Sequence, residues 1–174
     1  MKRIGILVFL GTIFFSCQNQ QKIGFVDNGK VINEYQEKKD VEEKYNQKDQ
    51  AFKVRMDSIS KAFQMEAQDI QLKFSSMSQS KQQEQYQMLG QKQKMLQQQI
   101  QFEQQQLQQG YQTEIDSVIS KVKKYVKEYG KNNGYTYILG TSDNMASVMY
   151  GDEMNDISQI IIDSLNAKYK KETK

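Results

Sequence analysis

The side chains able to do chemistry are few, and their types narrow the options before any fold is considered. The 174-residue chain contains no histidine. A histidine general base, a serine-histidine triad and the usual histidine-containing zinc site therefore have nothing to build on. Glycines fall in no pattern that would cradle a phosphate. Asp143, Asp152, Glu153 and Asp156 lie close together in sequence and carry the oxygen chemistry of a hard-cation site. Asp143 and Asp152 sit in turn contexts and Asp156 near a helix start, so capping is the expected role. Lys121, Lys123, Lys124 and Lys127 cluster without interleaved base-reading side chains, which fits a solvated helix face rather than nucleic-acid binding. No enzyme activity, cofactor or metal is expected.

The one cysteine, Cys17, is the remaining reactive group, and its context assigns it. Lys2 and Arg3 precede an apolar run from Ile4 to Phe15, which ends in Ser16-Cys17. A basic start and a roughly 12-residue apolar stretch have the form of a secretory signal peptide, and are too short for a comfortable membrane span. Phe14-Phe15-Ser16-Cys17 resembles the lipobox of bacterial lipoproteins, with Phe14 in place of the usual Leu. The resemblance implies cleavage before Cys17, acylation of that cysteine and a membrane anchor facing the periplasm. Lipidation also gives a use to an otherwise unpaired thiol in an oxidising compartment. Residues 1–16 are then a signal peptide and 17–21 a polar linker. The formal charge of +3 loses Lys2 and Arg3 with the leader, leaving too little for bulk charge to indicate nucleic acid.

The rest of the chain is organised by residues 29–130. The apolar fraction is 37%, mean hydropathy is -0.80 and there is no proline, a combination pointing to long helices rather than a large compact core. Tyr45, Phe52 and Ile59 are spaced by sevens, as are Met56, Phe63, Ile70 and Met77, the 3-4 seam of a coiled coil. After Ser75–Ser80 the spacing becomes eleven: Leu89, Ile100, Tyr111 and Val122, and likewise Leu96, Leu107, Val118 and Tyr129. An eleven-residue repeat favours a nearly straight helix. The expectation is an antiparallel helical hairpin with its tip near residues 75–80 and an arm of roughly 70 Å.

Each helix also carries a thinner apolar stripe away from the seam. At 100° per residue, Val54, Met65 and Leu72 fall opposite the first seam, and Met88, Met95 and Phe102 fall well off the second. Methionine suits irregular apolar partners, so these six are a candidate surface for binding such partners. Scattered exposed apolar residues are the plainer alternative. About half of Gln79–Gln112 is glutamine, which keeps a helix soluble without charge repulsion.

Residues 22–28 and 131–174 form the expected body. Lys22–Val26 is β-prone, with Asp27-Asn28-Gly29 as turn or cap. Tyr135–Leu139 reads as a strand, Gly140–Asn144 as a turn and Met145–Tyr150 as a second strand closing a β-hairpin. A last helix from about Ser158 buries Ile157, Ile161 and Leu165, with Ile160 alongside. Three strands and one helix make a marginal core, so oligomerisation is expected, through Ile23, Phe25, Tyr137, Leu139 and Val148. The fold class is mainly α with a small β body.

Lys22-Ile23-Gly24-Phe25-Val26-Asp27-Asn28-Gly29-Lys30-Val31-Ile32-Asn33-Glu34-Tyr35 resembles the opening of the Skp/OmpH family of periplasmic chaperones. Tyr135–Leu139 and the Asp156–Asn166 segment are similar to its end. The resemblance implies a homotrimer whose bodies join in a β-barrel-like assembly. Three arms would surround a cavity that holds unfolded outer-membrane proteins without ATP. Such proteins are often strongly basic and soluble, whereas this mature chain is nearly neutral and is expected to be lipidated. The rival reading is a lipid-anchored coiled-coil strut or adaptor of the cell envelope, docking through a tip near Phe74 and Met77.

Overall fold

The computed structural model describes residues 21–142 and 147–173. The leader, Cys17 and residues 18–20 of the expected linker, and residues 143–146, which include Asp143 and Met145, lie outside them. Strand β1 (Ile23–Asp27) leads into α1 (Asn28–Glu34), whose first turn is capped by Asp27: its Oδ1 accepts the Lys30 N–H at 3.0 Å. Helix α2 (Gln36–Lys73) ascends to the tip, and α3 (Gln79–Asn132) returns. Strand β2 (Tyr137–Thr141) follows, then α4 (Ser158–Glu172). At 1.5 Å per residue α3 is about 80 Å long. Asn133 and Gly134 turn the chain from α3 towards β2, with Gly134 at φ 70°, a conformation in which a Cβ is strained.

The ascending stretch expected as one helix is two. Tyr35 is extended (φ -70°, ψ 124°) between α1 and α2. Asn166 of α4 serves both backbone groups at the break, donating to the Glu34 carbonyl at 3.2 Å and accepting the Gln36 N–H at 2.7 Å. The Tyr35 ring packs edge-on against Tyr169 at 6.0 Å, and its hydroxyl donates to Glu37 at 2.7 Å. Burial first, and then the Glu37 carboxylate, push the Tyr35 hydroxyl above its usual pKa.

Among the described residues no β-hairpin is formed; residues 143–146 of its expected turn and second strand lie outside them. β2 pairs with β1 in parallel, Ile23 opposite Tyr137 through Asp27 opposite Thr141. The described part of the expected third strand, Ser147–Tyr150, is not a strand, and Met149 and Tyr150 are among the most exposed residues. A strand requires a ladder neighbour. On this sheet β2 takes one side of β1, while Phe25 bridges to Asp156 and its carbonyl accepts the Ile157 N–H.

The core joins Val26 of the sheet, Val31 and Tyr35, Val41 of α2, Val118 and Val122 of α3, and Ile157, Ile161, Ile162 and Leu165. Ile157, Ile161 and Leu165 are buried as expected, but Ile162, not Ile160, completes the face; Ile160 is 48% exposed. A helix turns 100° per residue, which sets Ile161 and Ile162 towards the sheet and α1 and leaves Ile160 on the rim.

Along the arm, every residue expected in the α2 seam is at least half-buried, but the persistent period is eleven, not seven: Val41, Phe52, Phe63 and Phe74 recur, as do Tyr45, Met56 and Ala67. Both helices therefore share one repeat. Four ion pairs cross between them: Glu37 with Lys121, Lys44 with Glu114 (2.7 Å), Arg55 with Glu103, and Glu66 with Lys92. In each pair the two residue numbers add to the same total, so one antiparallel register holds along the arm. At the tip, Gln82 donates to the carbonyls of Phe74 (2.8 Å) and Met77 (3.2 Å), filling acceptors that the helix end leaves open. Phe74 packs on Tyr86 with ring centroids 4.6 Å apart.

Glu114 shows how such a pair responds to pH. Hydrogen bonds from Lys44 and then Tyr45 (2.9 Å) hold its carboxyl below the usual range. A depressed carboxyl stabilises the fold above its unfolded pKa and loses that contribution as pH falls through the folded value. Glu114→Gln should thus melt roughly 1–3 °C below the parent at neutral pH. The gap should narrow as pH falls from the usual carboxylate range, and close only once pH is below the lowered folded value, where the parent carboxyl is also uncharged. Thermal melts at neutral pH and along the acid range check this.

Candidate functional site

No described helix is long and apolar enough to cross a membrane, and no described residues cluster as a metal site. The acidic residues near the last helix are engaged in capping. Asp152 Oδ1 accepts the Met154 N–H at 2.9 Å, and Asp156 Oδ1 accepts the Ser158 N–H at 2.8 Å. Of the lysine cluster, Lys121 pairs with Glu37, while Lys123, Lys124 and Lys127 are exposed on α3. What remains as a functional surface is apolar.

Two such surfaces stand out among the described residues. The first is on the arm. Val54, Met65, Leu72, Met88, Met95 and Phe102 are all more than half exposed, from 55% at Met88 to 81% at Leu72. Regular seam residues satisfy the pairing of α2 and α3, so none of the six is needed to hold the hairpin. They are distributed along the arm rather than gathered into one patch. Tyr86, 61% exposed near the tip, adds apolar surface on a different face of α3, where its ring also packs on Phe74.

The second surface is one face of the sheet. Residues paired across a ladder share a face, so Ile23, Tyr137, Phe25 and Leu139 lie together. Val26 and Ile138 face the other way, into the core and its margin. Within the single chain the first face is largely uncovered: Ile23, Tyr137 and Leu139 are exposed and Phe25 is half-buried, its ring lying against Gly151. Val148 is half-buried and not in a strand. The exposure of Met149, Tyr150 and Met154 beside this face was not foreseen; a β-prone, apolar segment gave the sequence signal of a strand instead.

Comparison with known proteins agrees with this architecture. A crystal structure of an OmpH-like candidate outer membrane chaperone from Caulobacter crescentus superposes with a TM-score of 0.75 at 16% identity, over 85% of each chain. At that identity the likeness establishes the fold. No curated protein matches the chain. The model of the OmpH-like outer membrane protein family matches residues 22–165, from the start of β1 to Leu165 in the core. The chain belongs to the OmpH-like outer membrane protein family.

Proposed function

We propose that the protein is an ATP-independent holdase chaperone of the periplasm that keeps unfolded outer-membrane proteins from aggregating. The observation that carries this reading is the row of six exposed apolar side chains along an arm whose own pairing does not use them. A strut requires only the seam. Weak apolar contacts spread along an arm hold many sequences without selecting one, and methionine adapts to irregular partners. Family membership supports the same conclusion.

The working form would be a homotrimer joined through Ile23, Phe25, Tyr137, Leu139 and Val148, with three arms around a cavity. The exposed sheet face supports assembly, since apolar residues left in water are stabilised by a partner. Acylation at Cys17 would tether the trimer to a membrane. The adaptor alternative is weakened by the tip: Phe74 stacks on Tyr86 and Met77 is half-buried, so the proposed docking residues already serve the hairpin.

The test replaces Met65, Leu72, Met88, Met95 and Phe102 by Ser or Gln. An unfolded β-barrel membrane protein is diluted from urea in the presence of parent or variant, and light scattering is followed. Aggregation suppression should fall severalfold, with circular dichroism and native mass unchanged. Full suppression by the variant would remove the stripe as the client surface.

A further inference from the structure

Near the base of the arm the two helices leave a groove of about 640 Å³, within the size range of small-ligand sites. Its origin is local. The arm register sets Ala51 opposite Leu107, and the small alanine leaves space that a longer side chain would fill. At the base end Tyr45 is drawn aside over Gly110, where a Cβ would come within 2.7 Å of its hydroxyl. Tyr45 is held there by Glu114 at 2.9 Å and by edge contact with the Tyr111 ring at 5.5 Å. Phe52, Phe102 and Leu107 form the apolar walls. Phe102 is thus the stripe residue at which an exposed ring borders a concavity.

The charges on the rim are not equivalent. Arg55 is paired with Glu103, and Glu103 also accepts from Gln99 at 3.0 Å. Lys48 lies 4.5 Å from the centroid of the Tyr45 ring with its side chain exposed. It meets Glu114 only through a weaker electrostatic influence than those of Lys44 and Tyr45. The groove therefore presents aromatic walls with one cation available beside them.

We propose that this groove is a client subsite that takes one aromatic side chain of an unfolded polypeptide when an Asp or Glu adjoins it in sequence. The ring would lie against Phe102 and Phe52, in the offset or edge-on arrangements that aromatic pairs favour. The neighbouring carboxylate would meet Lys48. The subsite rests on the holdase reading and refines it: the stripe supplies unselective contact, while the groove adds a preference.

The test uses the full-length protein and fluorescein-labelled unstructured peptides identical except for a central Phe-Asp, Phe-Lys or Ala-Asp. Fluorescence anisotropy should show Phe-Asp bound about tenfold more tightly than either of the others, a difference of about 1.4 kcal/mol. Ala51→Phe, which fills the groove, should abolish that preference. Lys48→Glu, on an exposed position that leaves the hairpin intact, should shift it to Phe-Lys. Equal affinities for the three peptides, or an unchanged preference in Lys48→Glu, would overturn the proposal. If aggregation suppression persists while the peptides are not discriminated, the groove assignment fails and the holdase reading stands. If neither peptides nor unfolded barrel proteins bind, both fail.

Discussion

Replacing Ile161 by Ala is expected to lower stability by about 2–5 kcal/mol, the range for large-to-small changes at fully buried sites. Ile161 is 0% exposed and sits where α4 meets the sheet and the first helix. The body has few buried side chains beyond this cluster, so little can move in to fill the void. Against the 5–15 kcal/mol typical of whole domains, this is a large share. The melting temperature should drop by roughly 6–20 °C. Ile160→Ala is the informative control, since Ile160 is itself 48% exposed; its effect should stay within about 0.5 kcal/mol. Equal shifts for the two variants would contradict the placement of α4.

The second large effect concerns the sheet face. Tyr137→Lys with Leu139→Lys puts two ammonium groups on a surface that is open in the single chain, so the isolated fold should tolerate them. In an assembly that buries this face, each subunit would enclose uncompensated charge, at several kcal/mol. Native mass spectrometry and sedimentation should show the parent assembled and the double variant monomeric, with helical circular dichroism retained. A variant that assembles like the parent would place the interface elsewhere.

The periodic features were legible in the sequence, and those depending on remote contacts were not. The hairpin, its tip and the last helix follow from apolar spacing, glycine and polar turn residues, which act over a few positions. The break at Tyr35 could not be read that way, because the group that satisfies its open backbone is Asn166, on α4. The seven-residue spacing on α2 was a true subset of an eleven-residue pattern; Val41 and Phe74, at its ends, reveal the longer period. The third strand failed for a different reason. Its residues have strand propensity, but propensity specifies no neighbour, and Ser147–Tyr150 takes none although the outer edge of β2 is open in the two-stranded sheet. Of the functional surfaces, the stripe was accessible to helical geometry alone. The groove was not, because it depends on Ala51 and Gly110 meeting larger residues across the hairpin.

The four cross-arm ion pairs carry a consequence in the order of their signs. A repeat of eleven on both helices would by itself let the hairpin slip by one whole repeat with the apolar seam restored. Slipping one way would bring Glu66 to Glu103; slipping the other way would bring Arg55 to Lys92. Because acid and base exchange sides between Arg55–Glu103 and Glu66–Lys92, either misalignment sets one like-charged pair face to face, which is unfavourable. The opposite charges it brings together (Arg55 with Glu114, or Lys44 with Glu103) do not restore the full set of the correct register. The individual bridges add little strength at an exposed surface. Their sequence of signs acts as a check digit, making the correct alignment distinguishable from its nearest periodic copies.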